Sequence, residues 1–441
     1  MKENNAKRII MDQLITPYLE KNSKYVGTEI ETVFYPVNSL EAPKDVMCEA
    51  FEYMVKEHGF SNVITGSDGY VVRIDNGIDS ISADYSYVIL EFSMGKSKCI
   101  NEIGERFYKY YKVLTAFFDR KGYSFTGFGC NLFYRPFQDE TQYTHDPFYS
   151  KIREYVLEHT AHKDISCFYT LMASTQSHLD IRGEKFLKTF NLFNKLEFVR
   201  GLLFANSIPN TSFEQKHIKY PDNLLCARDF LWENQGLPNT GVIEKDFESI
   251  DELAEHYSKL KVFVRMGENG LSTFEPMTLE EYFEKEDRLT DGLSCFRSFE
   301  HVVLNNYHAL EVRSDCTQPM ADVFSPLAFN LGISEMVDEV METVNKFLHD
   351  NQIELDNAKL RYMAITGQEI TEPGKMQAFL GQLYEHARTG LVRRGYGEEI
   401  YIECIKERIE SGILSPAQNM KKMLEEGKSI LEVAEIYAQI K

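Results

Sequence analysis

The sequence has no Lys/Arg-rich block, no Cys-X-X-Cys pair, no apolar run long enough to span a bilayer and a single tryptophan, Trp232. Each gap argues against a class of function. A duplex-binding protein needs a basic face to displace counterions, so nucleic acid is not expected as a partner. The balance is acidic instead, with 68 Asp and Glu against 48 Lys and Arg and a net charge of -20. That acidity does not argue against ATP, whose phosphates arrive with their own metal ions. Eight cysteines (Cys48, Cys99, Cys130, Cys167, Cys226, Cys295, Cys316 and Cys404) follow no regular spacing. Reduced cytosolic thiols fit this scatter better than a disulfide framework or a zinc site, and no thiol has a visible activating neighbour. The opening MKENNAKRIIMDQLITPYLEK lacks the apolar stretch of a signal peptide. A cytoplasmic protein bound to no membrane is the expectation.

No repeat, low-complexity tract or linker interrupts the 441 residues, and 43% hydrophobic content is ample for a large core. One mixed α+β domain over residues 1–441 is expected, helical from about 320 onward. Apolar periodicity predicts helices over 7–21, 43–58, 97–121 and 184–206. Strands are predicted over 82–92, 123–130, 169–180, 260–266 and 308–315, with a hairpin turn at Asp75-Asn76-Gly77.

The most informative stretch is Gly27-Thr28-Glu29-Ile30-Glu31-Thr32-Val33-Phe34. Strand alternation sets Glu29 and Glu31 side by side on one face. Two like charges so placed repel, unless they are solvated on an edge or held by a divalent cation. Hard oxygen ligands suit Mg²⁺ or Mn²⁺. Three further pieces of chain carry groups of the same kind: Asp84 and Glu91, then His178 beside Gln176, then Glu311 and Arg313. Carboxylates with one imidazole suit divalent ions around a polyphosphate, and a planar guanidinium can hold two phosphoryl oxygens. One tension is visible. Asp84 and Glu91 are seven residues apart, so an unbroken strand would put them on opposite faces, and a bulge or turn must intervene.

The motifs GTEIETVF, ADYSYVILEFS, STQSHLDI, GLLFANS, RDFLWENQGLPNTG, ALEVRSD, ARTGLVRRGY and SGILSPAQNM occur in this order. As a set, from about residue 25 to the C-terminus, they resemble glutamate–cysteine ligases of the glutamine synthetase superfamily of carboxylate–amine ligases. The plant and proteobacterial branch is the most similar. The resemblance implies a curved antiparallel sheet carrying the active site on its concave face, with flanking helices. It implies ATP-dependent phosphorylation of the γ-carboxylate of glutamate, followed by attack of the cysteine amine to give γ-glutamylcysteine. A different amine acceptor on the same chemistry, or a non-catalytic nucleotide sensor, are the alternatives. Carried over by position, Glu29, Glu31, Asp84, Glu91, His178 and Glu311 would hold Mg²⁺, with Mn²⁺ as a substitute. Arg313 would meet the transferred phosphoryl group, and Arg228 the carboxylate of the glutamate substrate. Thr175 and Gln176 would line the same floor. Arg393 and Arg394 match a basic pair of the family and are given no catalytic role. His178 stands where the plant branch commonly has Asn, and residues 130–165 show no match. The expected partners are small molecules (ATP, glutamate, cysteine or another amine), in a monomer or homodimer.

Overall fold

The eleven residues Val26–Pro36 form β1, the strand on which the molecule is built. The computed structural model describes residues 5–21, 23–134, 142–160, 168–181, 183–209, 219–234, 236–267 and 270–440. Further strands follow as β2 (Asn62–Thr65), β3 (Val71–Asp75), β4 (Ser80–Ala83), β5 (Ile89–Ser97), β6 (Tyr123–Thr126) and β7 (Thr175–Leu179). The remaining ones are β8 (Thr240–Gly241), β9 (Lys261–Gly267), β10 (Gly270–Thr278), β11 (Phe299–Glu300), β12 (Val302–Leu304) and β13 (Leu310–Val312). Nine of them join one sheet in the order β12-β13-β7-β1-β5-β4-β3-β2, with β6 also on β1. Every pairing in that sheet is antiparallel. β1 is flanked by β5 along one edge, and by β7 and then β6 along the other.

Alternation along β1 decides the layers. Ile30 and Phe34 point into the main core, where Phe34 meets Phe118 at 4.7 Å between ring centres. Phe118 lies on the helix Ile100–Lys121, which also sets Phe107 against Phe92 of β5 at 5.1 Å. Gly122 ends that helix at φ 68°, a left-handed cap that glycine adopts without a Cβ clash. Burying one such phenylalanine stabilises the fold by about 1.5–3 kcal/mol. On the other face, Val33, Tyr35 and Phe128 pack against Met420, Val433 and Tyr437 of the helices Pro416–Glu425 and Ile430–Tyr437. The C-terminal helices thus close one end of the sheet's second face, leaving the stretch around Glu29 and Glu31 for polar side chains.

The expected helix over 184–206 divides at Leu196 into Phe186–Lys195 and Glu197–Phe204. The expected strand over 169–180 begins only at Thr175, because Phe168–Leu171 coil into a 3-10 turn. Gly127 follows β6 where a Cβ would collide with the carbonyl of Gln318, so the close backbone approach there requires glycine. No described helix is long and apolar enough to cross a membrane.

Candidate active site

Cross-strand register brings the acidic residues onto one floor. Glu31 on β1 stands opposite Glu91 on β5, and Glu29 opposite Gln176 on β7. His178, two residues along β7, faces Glu311 of β13. The seven-residue spacing of Asp84 and Glu91 is resolved by a hairpin. β4 ends at Ala83, Tyr85 turns the chain at φ 45°, and β5 starts at Ile89. Ser82 sits opposite Glu91, so Asp84, two residues beyond Ser82, keeps the same face. Oxygens of Glu31, Asp84 and Glu91 all lie within 4.8 Å of one another.

Three buried carboxylates that close cannot all ionise at no cost. Burial, reinforced by Glu31 and Glu91, pushes the Asp84 carboxyl well above its ordinary range. Burial also raises Glu31, against the pull of Arg228, and raises Glu29, with help from Glu91 and Glu311. Glu29 keeps 32% of its side chain exposed, so solvent screens it most. Glu311 goes the other way. Burial would raise it, but Arg313 and then His178 override that and lower it.

Hydrogen bonds fix the floor. The amide of Ser174 (2.6 Å) and Nε2 of Gln176 (3.0 Å) both donate to Glu31. Tyr149 donates to Asp84 and stacks on Tyr85 at 3.8 Å. Arg313 pairs with Glu311, and Arg228 donates to the carbonyl of Arg313 at 2.8 Å and to Asp229 at 2.8 Å. Asp229 in turn accepts from the buried Arg361, which lies 3.8 Å from Glu197. Glu197 also pairs with Arg200 and His301, and these cations hold its carboxyl far below the ordinary range although burial alone would raise it.

Above the floor lies a cavity of about 230 Å³ lined by Glu29, Glu31, Asp84, Glu91, Gln176, Arg228 and Arg313. Tyr149, Trp232, Arg297, Phe299 and His301 also line it. A second, open groove of about 630 Å³ runs past His178, Lys21, Arg73 and Lys96. Glu29 lines both.

Of the residues expected from the sequence, one is placed otherwise. Thr175 stands opposite Ile30, fully buried on the core side of the sheet, and does not line the cavity. Strand alternation forces this: if Gln176 faces the floor, Thr175 cannot. His178 lies in the open groove, where its buried Nε2 has no hydrogen-bond partner among the described residues. Oδ1 of Asn305 accepts from the amides of Tyr307 and Ala309, which leaves its Nδ2 to donate to Nδ1 of His178 at 3.0 Å. Nε2 therefore carries the hydrogen in the neutral ring; it lies 3.6 Å from Glu29, beyond hydrogen-bond reach. Arg394 pairs with Glu398 at 2.7 Å, outside both cavities, as a structural contact.

Asn305, Tyr149, His301 and Arg297 were not found from the sequence. They occupy turns, a helix start and an irregular segment, where no alternation marks a face. Trp232 is half-buried, packs against the core and lines the cavity, with Nε1 donating to the carbonyl of Phe299 at 3.3 Å.

The sequence matches no protein-family model and no curated protein sequence. Its fold is similar to that of a bifunctional glutathione synthetase from Pasteurella multocida, with a TM-score of 0.56 and 12% identity. That likeness covers 98% of this chain but 54% of the synthetase, so the chain spans about half that protein's length. A glutamate–cysteine ligase from Francisella tularensis in complex with AMP gives a TM-score of 0.48 at 11% identity, covering 95% of this chain and 89% of that one. The prokaryotic ubiquitin-like protein Pup in complex with its ligase PafA gives 0.40 at 12% identity, covering 96% and 72%. At these identities the first of the three likenesses supports the fold: an α+β architecture built on a large antiparallel sheet, like that of the bifunctional synthetase.

Proposed function

We propose that this chain is an ATP-dependent carboxylate–amine ligase that joins glutamate to an amine through a γ-glutamyl phosphate, with cysteine as acceptor. The observation that carries the reading is one juxtaposition. Glu31, Asp84 and Glu91 converge within 4.8 Å where two cavities meet over Glu29. A donor amino acid in the smaller cavity and ATP in the larger groove would meet across that carboxylate. The glutathione synthetase that the fold resembles gives the same direction.

The donor set fits a hard divalent cation. Carboxylates pushed up by burial and mutual repulsion are stabilised as anions only by positive charge, and the nearby arginines are committed elsewhere. Glu29, Glu31, Asp84, Glu91 and Glu311 would hold Mg²⁺, which supplies charge neutralisation to the polyphosphate. The residues themselves do the rest. Gln176 and the Ser174 amide orient Glu31, and Tyr149 orients Asp84. Arg313, fixed by Glu311, meets the phosphoryl group as a carboxylate oxygen of the donor attacks the terminal phosphorus and ADP leaves. The acceptor amine then adds to the acyl carbon, a C–N bond forms, and phosphate departs with the C–O bond. Arg228 holds a substrate carboxylate beside this centre.

The test is ATP-dependent phosphate release with Mg²⁺ and glutamate across all amino acids and small amines, with mass spectrometry of the products. A dominant γ-glutamylcysteine peak is expected. Release no greater than in a glutamate-free control sinks the ligase reading, and a different amide product changes the acceptor alone.

A further inference from the structure

One charged group in the cavity has no task in that scheme. Arg297 stands in the irregular stretch before β11 and lines the cavity wall beside Phe148 and Ser298. Its Nη1 donates to the carbonyls of Phe296 (2.6 Å) and Ser294 (3.5 Å), and its guanidinium carbon lies 5.3 Å from the centre of the Phe148 ring. Asn239 donates to its main-chain carbonyl at 3.1 Å. These contacts orient the guanidinium and neutralise none of its charge.

The other two arginines of the cavity differ. Arg228 is paired with Asp229 and Arg313 with Glu311, whereas Arg297 has no carboxylate at ion-pair distance among the described residues. The arginine that acts on Glu29 and Asp84 is Arg313, and the one that acts on Glu31 is Arg228. Arg297 lines the same cavity as the acidic floor. Burial disfavours its charged form. A half-buried cation with no carboxylate partner among the described residues is stabilised where an anion completes it. Nε and Nη2 have no acceptor among the described residues, and this edge of the guanidinium matches a carboxylate in the bidentate manner.

We propose that Arg297 binds the α-carboxylate of an amino-acid substrate, which makes the cavity selective for amino acids over simple amines or α-amides. This inference rests on the ligase reading. The cavity then combines phosphoryl chemistry at the carboxylate floor with recognition of a free α-carboxylate at Arg297. The same chemistry can come from the donor or from the acceptor, and kinetics separates the two.

The experiment uses the full chain, wild type and R297Q, at saturating Mg-ATP. Glutamate is varied first; then cysteine is compared with cysteamine, which lacks the carboxylate. A carboxylate-binding arginine predicts a KM about tenfold or more higher in R297Q, with kcat within about threefold and the KM for Mg-ATP unchanged. If the rise falls on glutamate with both acceptors, the donor is held. If it falls on cysteine and spares cysteamine and glutamate, the acceptor is held. Both amino-acid KM values staying within twofold, or a loss confined to kcat or Mg-ATP, overturns the proposal.

Calorimetry separates failure of this inference from failure of the ligase reading. A protein without turnover can still be titrated with L-glutamate and L-isoglutamine, whose α-carboxylate is an amide. Preference for glutamate in the wild type, lost in R297Q, supports the Arg297 assignment whatever the activity. Should R297Q not fold, the wild-type comparison decides. Equal binding of glutamate and isoglutamine, and of cysteine and cysteinamide, overturns it.

Discussion

Asn305 donates through Nδ2 to Nδ1 of His178 across 3.0 Å, and this bond decides what His178 can do. The same Nδ2 reaches Oε2 of Glu311 at 3.2 Å, so one amide ties the imidazole to the acidic floor. With Nδ1 accepting, Nε2 carries the hydrogen and lies 3.6 Å from Glu29, free to meet a group in the groove. Burial lowers the His178 pKa, which keeps the ring neutral. A residue that orients a ligand is replaceable by another donor, whereas a ligand is not. His178→Asn should therefore hold Mn²⁺ affinity within about threefold, while His178→Ala should cost about 10–100-fold. Calorimetric Mn²⁺ titration of both variants checks this. Equal losses in the two would mean that the ring itself binds the metal.

The raised carboxyls predict a specific pH dependence without metal. A carboxyl whose folded pKa lies above its unfolded value binds more protons in the native state. Its favourable contribution is then present at low pH and is lost as pH rises through the folded pKa. Glu29, Glu31 and Asp84 have this sign, and Glu311 the opposite one. Replacing Asp84 by Asn removes one raised group and relieves Glu31. In chelator, the Tm of Asp84→Asn minus that of wild type should grow more positive from about pH 5 upward. Saturating Mg²⁺ should shrink or reverse the gap, because wild type gains a bound cation that the variant holds poorly. Thermal denaturation at several pH values reads both effects. A gap that ignores pH and metal alike would mean that the three carboxylates do not share a site.

Arg313 and Glu311 form a pair whose two members should fail differently. Arg313→Ala removes the cation that faces the transferred phosphoryl group, so phosphate release should fall about 10²–10³-fold with little change in nucleotide binding. Glu311→Gln keeps the shape but loses one anion, so the Mg²⁺ requirement should rise along with a loss of turnover. Fluorescent nucleotide binding beside phosphate release separates these outcomes. Weakened binding with no turnover to lose in the wild type would favour a sensor over a ligase.

The acidic floor was legible because β1 obeys a simple rule. Period-two alternation marks Glu29 and Glu31 as neighbours, and the same rule set Gln176 and His178 apart from Thr175. Placing Thr175 on the floor ignored that rule. The parity conflict of Asp84 and Glu91 pointed to a chain reversal that the structure places at Tyr85. The rest was illegible for a physical reason. Arg297 and Asn305 lie in segments whose side-chain directions are set by tertiary contacts over tens to hundreds of residues. Asn239 on Arg297 and His178 on Asn305 are such contacts. The break of the 184–206 helix at Leu196 places Glu197 in the buried network with Arg200, His301 and Arg361, a consequence that propensity does not encode.

That network carries the last prediction. Asp229, buried at 1% exposure, lies between Arg228 in the cavity wall and Arg361 beneath it. Substitution by Asn keeps the shape and removes the charge, which leaves the fully buried Arg361 short of an anion. Breaking a buried pair from one side costs about 3–5 kcal/mol, so Asp229→Asn should lower the urea midpoint sharply. The same change frees Arg228, whose other anchor is the carbonyl of Arg313. The KM for the substrate whose carboxylate Arg228 holds should then rise about tenfold in the protein that remains folded. Arg361→Met separates the two roles. It removes the buried cation together with its need for Asp229, so stability should recover part of the loss in the double variant. The KM defect should stay, because Arg228 still lacks its anionic partner. If the double variant instead restores both stability and KM, Arg228 is not held by Asp229, and its place in the cavity wall depends on the Arg313 carbonyl alone.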